Sequence, residues 1–165
     1  MMISKKMNKE LNRQITMELS AAHKYLAMTC AFEQMGLKVL SQRFRQQAAE
    51  ENEHAMKIVD YLHEVGAAVE LDEIPKPSGD FDTAKAVVKA ALDSELAVTK
   101  SINELMGLAE DEKDYATRSF LQWFVDEQVE EVSSMEDLRA LVELAGENLL
   151  QVEARIRHEM SEGSK

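Results

Sequence analysis

The sequence predicts an all-α protein, a four-helix bundle with a long crossover between the second and third helices and a short fifth helix. Only six glycines and two prolines occur in 165 residues, of which 45% are hydrophobic and 30% charged. This composition is rich in helix formers and poor in the residues that strands favour. Apolar residues also recur at alternating spacings of four and three along four long segments, which is typical of helices facing a bundle core. A chain of this length forms its own core, so we expect one domain over residues 1–165.

Glycine and proline divide the chain into five helical segments, because both residues gather at helix ends and in loops. We predict helices at about 5–35, 39–66, 84–111, 115–146 and 149–161. Short links after the first and third helices make two antiparallel hairpins. Pro75 and Pro77 lie in segment 67–82, which has no sustained helical period and is predicted to cross the bundle.

The formal net charge of −12 argues against binding to nucleic acid phosphates or anionic membranes and favours cations as partners. The single cysteine, Cys30, cannot form an internal disulfide, which fits a reducing compartment. We interpret Cys30 as a buried, inert helix residue. No apolar run has the length of a membrane span or a signal peptide, so the sequence predicts a cytoplasmic protein.

Polar residues interrupt the core-facing seam of every long helix near its midpoint. They are Glu18 on the first helix, Glu51 and His54 on the second, Glu95 on the third, and Gln128 and Glu131 on the fourth. Midpoints of antiparallel helices lie at one level, so these six side chains should converge inside the bundle. Buried carboxylates are costly without a counter-charge, and no basic residue lies at this level of the seam.

Protons or bound cations are therefore the available counter-charge. Two divalent ions would balance the four carboxylates, and a set of oxygen ligands with one imidazole suits iron or manganese, while zinc could also bind. The spacing of the polar residues is repeated. Glu18 and Glu51 are 33 residues apart, as are Glu95 and Gln128, and an offset of 77 residues relates His54 to Glu131. This repetition indicates a duplicated helical hairpin with two similar half-sites.

These residues resemble the ferritins, and most closely the bacterial non-haem ferritins. The resemblance is carried by Glu18 with Tyr25, AEENEHA at 49–55, Glu95, and FLQWFVDEQVEEV at 120–132. Ferritin-like bundles carry a Glu on each of two helices and Glu-x-x-His on the other two. Here the second helix keeps Glu-x-x-His as Glu51 and His54, but the fourth helix has Gln128-x-x-Glu131 instead. This difference from the general pattern resembles the non-haem ferritins.

The resemblance implies a dinuclear iron site inside each chain. The first iron would be held by Glu18, Glu51 and His54. The second, looser iron would be held by Glu51, Glu95 and Glu131, with Gln128 close by. A third site would use Glu50, Glu127 and Glu130 and share Glu131, although a plain surface-charge explanation remains for these three glutamates. Tyr25 would lie beside the pair and Trp123 would help to handle electrons, although either could be a simple core aromatic.

The resemblance also implies a function: ferrous iron is oxidised by O2 or H2O2 at this ferroxidase centre and stored as a ferric mineral in a hollow 24-mer. The fifth helix, with Leu149, Leu150, Val152 and Ile156, would line its fourfold positions. Haem is not expected, because Asn52 stands where bacterioferritins carry a haem-binding methionine. Two rival interpretations remain, a small diiron oxidase or peroxidase without storage and a purely structural bundle with protonated carboxylates.

Overall fold

Five helices, α1 to α5, build the chain in a computed structural model that describes residues 2–162. They are α1 (Lys5–Gln34), α2 (Lys38–Glu64), α3 (Ala84–Asp111), α4 (Tyr115–Ala145) and α5 (Leu149–Glu162). The predicted bounds agree with these within two residues. Residues 2–162 contain no strand, which confirms the predicted all-α fold.

The helices run antiparallel, and a long crossover joins the two hairpins. The α1–α2 and α3–α4 links cover only residues 35–37 and 112–114, so each pair must reverse direction. Ser4 before α1 donates a hydrogen bond to Glu112 after α3 at 2.9 Å, which places those two ends side by side. The crossover, residues 65–83, is held along α1 by Asn12, whose amide donates to the Ala68 carbonyl at 2.9 Å and whose oxygen accepts from the Glu70 N–H at 2.6 Å.

Three of the long helices begin at a local side-chain cap. Ser4, Thr83 and Asp114 accept hydrogen bonds from N–H groups in the first turns of α1, α3 and α4, at 2.9, 3.1 and 3.0 Å. Such caps satisfy donors that have no partner within the helix. Gly36, with φ of 78°, makes the turn after α1, where a residue with a Cβ would be strained.

The start of α2 is capped from another helix. Leu37 at its N-cap makes no side-chain cap bond. Instead, the buried carboxylate of Glu153 on α5 accepts from the Val39 N–H at 3.1 Å and from the Leu40 N–H at 2.8 Å. A carboxylate is favoured at this end of a helix by the helix dipole as well. Glu153 therefore anchors α5 to the bundle and completes α2.

Replacing Glu153 by alanine is expected to lower the free energy of unfolding by about 1–3 kcal/mol, because two buried N–H groups lose a charged acceptor. Urea unfolding followed by circular dichroism measures this change. Glu136→Ala, on an exposed position of α4, is the matched control. A Glu153 variant as stable as this control would show that the cap contributes nothing.

Two apolar clusters fill the bundle, one towards each end. One surrounds Phe32, Leu40 and Phe44, and the other surrounds Leu11, Ile58 and Ile102. The midpoints of the four long helices lie between them. The polar interruptions of the seam are thus placed in a layer that has apolar packing on both sides.

The structure corrects one expectation about an individual residue. Cys30 is exposed and not buried, because it lies on the outer face of α1. On α5, Val152 and Ile156 pack into the chain's own core, and the half-buried Leu149 packs against it. Leu150 is 74% exposed. No helix within residues 2–162 combines the length and apolar character that crossing a bilayer requires.

Candidate metal centre

All six polar residues of the seam are buried at the level between the two apolar clusters. The exposed fractions are 0% for Glu18 and Glu51, 1% for Glu95, 3% for Gln128, 5% for His54 and 6% for Glu131. Each of the four long helices contributes at least one of them, as the spacing predicted. The bundle therefore holds four carboxyl groups, one imidazole and one amide in its interior at this level.

The first half-site consists of Glu18, Glu51 and His54. Each offers one ligand atom, and the three atoms lie within 4.8 Å of one another. His54 Nδ1 is 3.5 Å from Glu51 Oε2. Glu18 Oε2 and Glu51 Oε2 are fully buried and have no hydrogen-bond partner. Buried acceptors without partners are rare and unfavourable in folded proteins, so the donor set fits a cation bound between these two oxygens and the imidazole.

The second half-site consists of Glu95, Gln128 and Glu131. Tyr25 donates its hydroxyl hydrogen to Glu95 Oε1, and the Gln128 amide donates to Glu95 Oε2 at 3.2 Å. Gln128 also donates to Thr99 Oγ1 at 3.0 Å, which fixes the amide orientation. Both oxygens of Glu95 are therefore hydrogen-bonded, unlike those of the first half-site.

Burial raises the pKa of three of these carboxyl groups, those of Glu18, Glu95 and Glu131, because the charged form loses its hydration. Burial and the nearby Glu51 carboxylate raise the pKa of Glu18 to about 8 and that of Glu95 to about 7. Burial and Glu95 raise the pKa of Glu131 to about 8. These three carboxyl groups therefore hold protons near neutral pH when no cation is bound.

His54 and Tyr25 respond differently to the same surroundings. Burial opposes the charged form of His54, but the close approach and negative charge of the Glu51 carboxylate outweigh burial and raise its pKa to about 9. Burial and the Glu95 carboxylate raise the pKa of the Tyr25 hydroxyl well above its ordinary value, so Tyr25 remains a hydrogen-bond donor.

The three outer glutamates are not equivalent. Glu127 is half-buried, and its carboxylate forms a second compact group with His54 and Glu131, again with one atom from each within 4.8 Å of the others. Glu50 and Glu130 are exposed and line a groove together with Glu127. Within residues 2–162, neither joins a compact ligand group in this structure.

The two aromatic candidates occupy different environments. Tyr25 is fully buried and meets Phe44 edge to face, with ring centroids 5.5 Å apart. Trp123 is 38% exposed, so it is not a simple core residue. Its ring meets that of His54 edge to face at 5.3 Å, and Lys57 Nζ lies 4.3 Å from its centroid. Trp123 thus links the first half-site to the surface.

Several residues around the site were not predicted to take part in it, although the seam periodicity did turn Gln47 inward. Arg43 lies off the seam, yet it is mostly buried and donates to Ser134 at 2.6 Å. Burial lowers the pKa of Arg43, while the nearby charges of Glu159 and Glu131 act to raise it. Because Glu131 is close enough to act on Arg43, a basic group does lie near the site. Gln14 and Gln47 are also buried there and donate to the ligand carboxylates. A search for polar residues one turn from each ligand would have found both glutamines.

Comparison with known proteins gives a consistent result. Residues 8–145 match the family model described as the ferritin-like domain. The chain is 38% identical over 148 residues to ferritin BfrB of Mycolicibacterium smegmatis, covering 90% of this chain and 82% of the relative. It is 40% identical over 135 residues to a bacterial non-heme ferritin of Staphylococcus haemolyticus, covering 82% and 81%. A solved open pore ferritin from Archaeoglobus fulgidus superposes with a TM-score of 0.91 at 41% identity, covering 93% and 96%.

Proposed function

Because this chain belongs to the ferritin family of iron-storage proteins, we propose that its buried carboxylate layer is a ferroxidase centre for ferrous iron. One observation carries the proposal. Glu18 Oε2 and Glu51 Oε2 are buried without hydrogen-bond partners, and one ligand atom from each residue lies within 4.8 Å of a ligand atom of His54. Ferrous iron is the substrate that would occupy this position, with manganese and zinc as competitors for the same donors.

In this proposal the first ferrous ion binds to Glu18, Glu51 and His54, and the second binds to Glu51, Glu95 and Glu131. The shared Glu51 carboxylate bridges the two ions. Binding displaces the protons that Glu18, Glu95 and Glu131 otherwise hold. Anionic oxygen ligands stabilise the ferric ion more than the ferrous ion, because the higher charge interacts more strongly with them, and the site therefore favours oxidation.

Two ferrous ions together supply the two electrons that one molecule of oxidant takes up. Each ferrous ion loses one electron, and O2 takes both electrons with two protons to give H2O2, or H2O2 takes them to give water. Gln128 is neutral and its amide is directed to Glu95 and Thr99. The second half-site therefore binds iron less tightly than the first, which leaves room for the oxidant and for departure of the ferric product.

The proposal assigns roles to the residues around the pair. Tyr25 holds Glu95 in place through its hydroxyl group, and Trp123 is a source of electrons at the edge of His54. Glu50, Glu127 and Glu130 form a third iron site together with Glu131. The support for this third site is the groove that all four residues line and the closeness of Glu127 to Glu131.

Storage requires an assembly, and we propose that residues 1–165 act as one ferritin-like domain that assembles into a cytoplasmic, hollow 24-mer. The exposed Leu150 on α5 would make contacts between copies. Each chain carries a formal charge of −12, so a shell of many copies concentrates cations around and inside it. Ferric product would accumulate there as an oxide-hydroxide mineral.

An aerobic iron load followed by size-exclusion chromatography with mass measurement tests storage. We expect one large species that retains far more than three irons per chain. A small oligomer that turns over peroxide without retaining iron would favour the rival diiron oxidase or peroxidase. A species inert to iron would favour the structural bundle and would contradict the proposal.

A further inference from the structure

Two buried glutamines stand one helical turn before the two carboxylate ligands of the first half-site. Gln14 precedes Glu18 on α1, and Gln47 precedes Glu51 on α2, by four residues in each case. Their exposed fractions are 1% and 8%. Residues four apart lie on the same face of a helix, so each glutamine is placed directly beside its glutamate.

Each glutamine amide donates to only one oxygen of its carboxylate. Gln14 Nε2 donates to Glu18 Oε1 at 2.8 Å, and Gln47 Nε2 donates to Glu51 Oε1 at 3.1 Å. The oxygens that remain without partners are the other two, Glu18 Oε2 and Glu51 Oε2. Both carboxylates therefore show the same arrangement: one oxygen is hydrogen-bonded to a glutamine amide, and the other remains available to a metal ion.

The amide of Gln14 is itself oriented from a third helix. Ser101 on α3 donates its hydroxyl hydrogen to Gln14 Oε1. Because one end of the amide accepts this hydrogen bond, the NH2 end must face Glu18. Ser101 is only half-buried, so it can be changed without opening a large cavity in the core.

The second half-site does not repeat this arrangement, although Gln47 also hydrogen-bonds its ligand Glu131. The offset of 77 residues that relates the two hairpins maps Gln14 to Ala91 and Gln47 to Phe124, and both of those side chains are apolar and buried. Glu95 is instead held on both oxygens by Tyr25 and Gln128. The difference between the half-sites thus extends beyond the metal ligands to the residues that orient them.

We propose that Gln14 and Gln47 are positioning residues that prearrange Glu18 and Glu51 for the first metal ion, so that the first half-site fills before the second. The hydrogen bonds restrict each carboxylate to the rotamer that presents Oε2 to the ion, and they reduce the ordering that binding would otherwise require. This inference rests on the proposed metal centre, but it concerns the order and affinity of binding and not oxidation.

Anaerobic titration of the full chain with Co²⁺ tests the inference. Co²⁺ replaces Fe²⁺ here so that binding is measured without oxidation of the metal. Calorimetry gives the affinity of each half-site, and the d–d absorption of Co²⁺ gives its ligand geometry. We expect Gln14→Met and Gln47→Met, which keep side-chain length and remove the amide donors, each to weaken the first half-site roughly 10–100-fold and to change its d–d spectrum. In Gln14→Met the second half-site should bind as before, so the two sites fill together. Gln47→Met also removes a hydrogen bond to Glu131 and should weaken the second half-site as well. Ser101→Ala should produce a smaller change of the same kind.

Gln122→Met is the matched control. Gln122 donates to Asp126 at 2.9 Å with the same spacing of four residues, but on the exposed face of α4. It should leave both Co²⁺ affinities unchanged. First-site affinity and spectrum that are unchanged in Gln14→Met and Gln47→Met would overturn the inference. If those variants fail to fold, Ser101→Ala decides it by the same two readouts. Absence of Co²⁺ binding to the unmodified chain would instead overturn the proposed metal centre.

Discussion

Replacing Glu51 by alanine is expected to abolish fast oxidation of ferrous iron while the bundle stays folded. Glu51 is the one carboxylate that both irons would share, so its loss removes a ligand from each. Changes to residues that only support metal ligands reduce affinity or activity roughly 10–100-fold, so removing a bridging ligand should exceed about 100-fold. The fold should survive, because the two large apolar clusters on either side of Glu51 hold the four long helices together.

The measurement is an anaerobic Fe²⁺ titration followed by rapid mixing with O2, with the ferric product followed by its absorbance. Glu53→Ala is the matched control, since Glu53 lies two residues away on the same helix and is exposed. It should oxidise iron at the rate of the unmodified chain. Oxidation at an undiminished rate in Glu51→Ala, with the assembly intact, would refute the assignment of the bridge.

The metal-free protein is expected to lose stability as the pH rises. The folded-state pKa is about 7 for Glu95 and about 8 for Glu18 and Glu131, against an ordinary value of 4.5. A carboxyl group with a raised pKa binds its proton more tightly in the folded state. The stabilisation that this group gives to the folded state is fully present below its pKa in the unfolded chain. It is lost as the pH rises through its pKa in the folded protein. His54 acts in the same direction, since its pKa is raised from 6.5 to about 9.

Thermal unfolding in the presence of a chelator, between about pH 5 and 9, checks this prediction, and the melting temperature should fall steadily over that range. A divalent ion should restore stability most at the alkaline end, because it binds the deprotonated carboxylates. Glu18→Gln should make the melting temperature depend less on pH. Glu136→Gln, on the exposed face of α4, should keep the same pH dependence and change only the repulsion between surface charges. A melting temperature that rises with pH in Glu18→Gln and the unmodified chain alike would contradict the assigned protonation states.

The sequence by itself determined the fold and the position of the polar layer. Helix bounds followed from glycine, proline and capping residues, because these act locally on the backbone. The burial of Glu18, Glu51, His54, Glu95, Gln128 and Glu131 followed from seam periodicity, since the same spacing that turns apolar residues inward also turns these inward. The exposed Cys30 shows the limit of this reasoning for a residue off the seam.

Only the tertiary structure decided how those side chains are held. The cap that Glu153 gives to α2 joins residues more than a hundred positions apart, and Arg43 reaches the acidic groove from outside the seam. Which oxygen of Glu18 or Glu51 stays free depends on the rotamer of a glutamine and on Ser101 of another helix. Periodicity specifies which face a side chain occupies, whereas hydrogen-bond partners depend on distances between helices that are set only when the bundle packs.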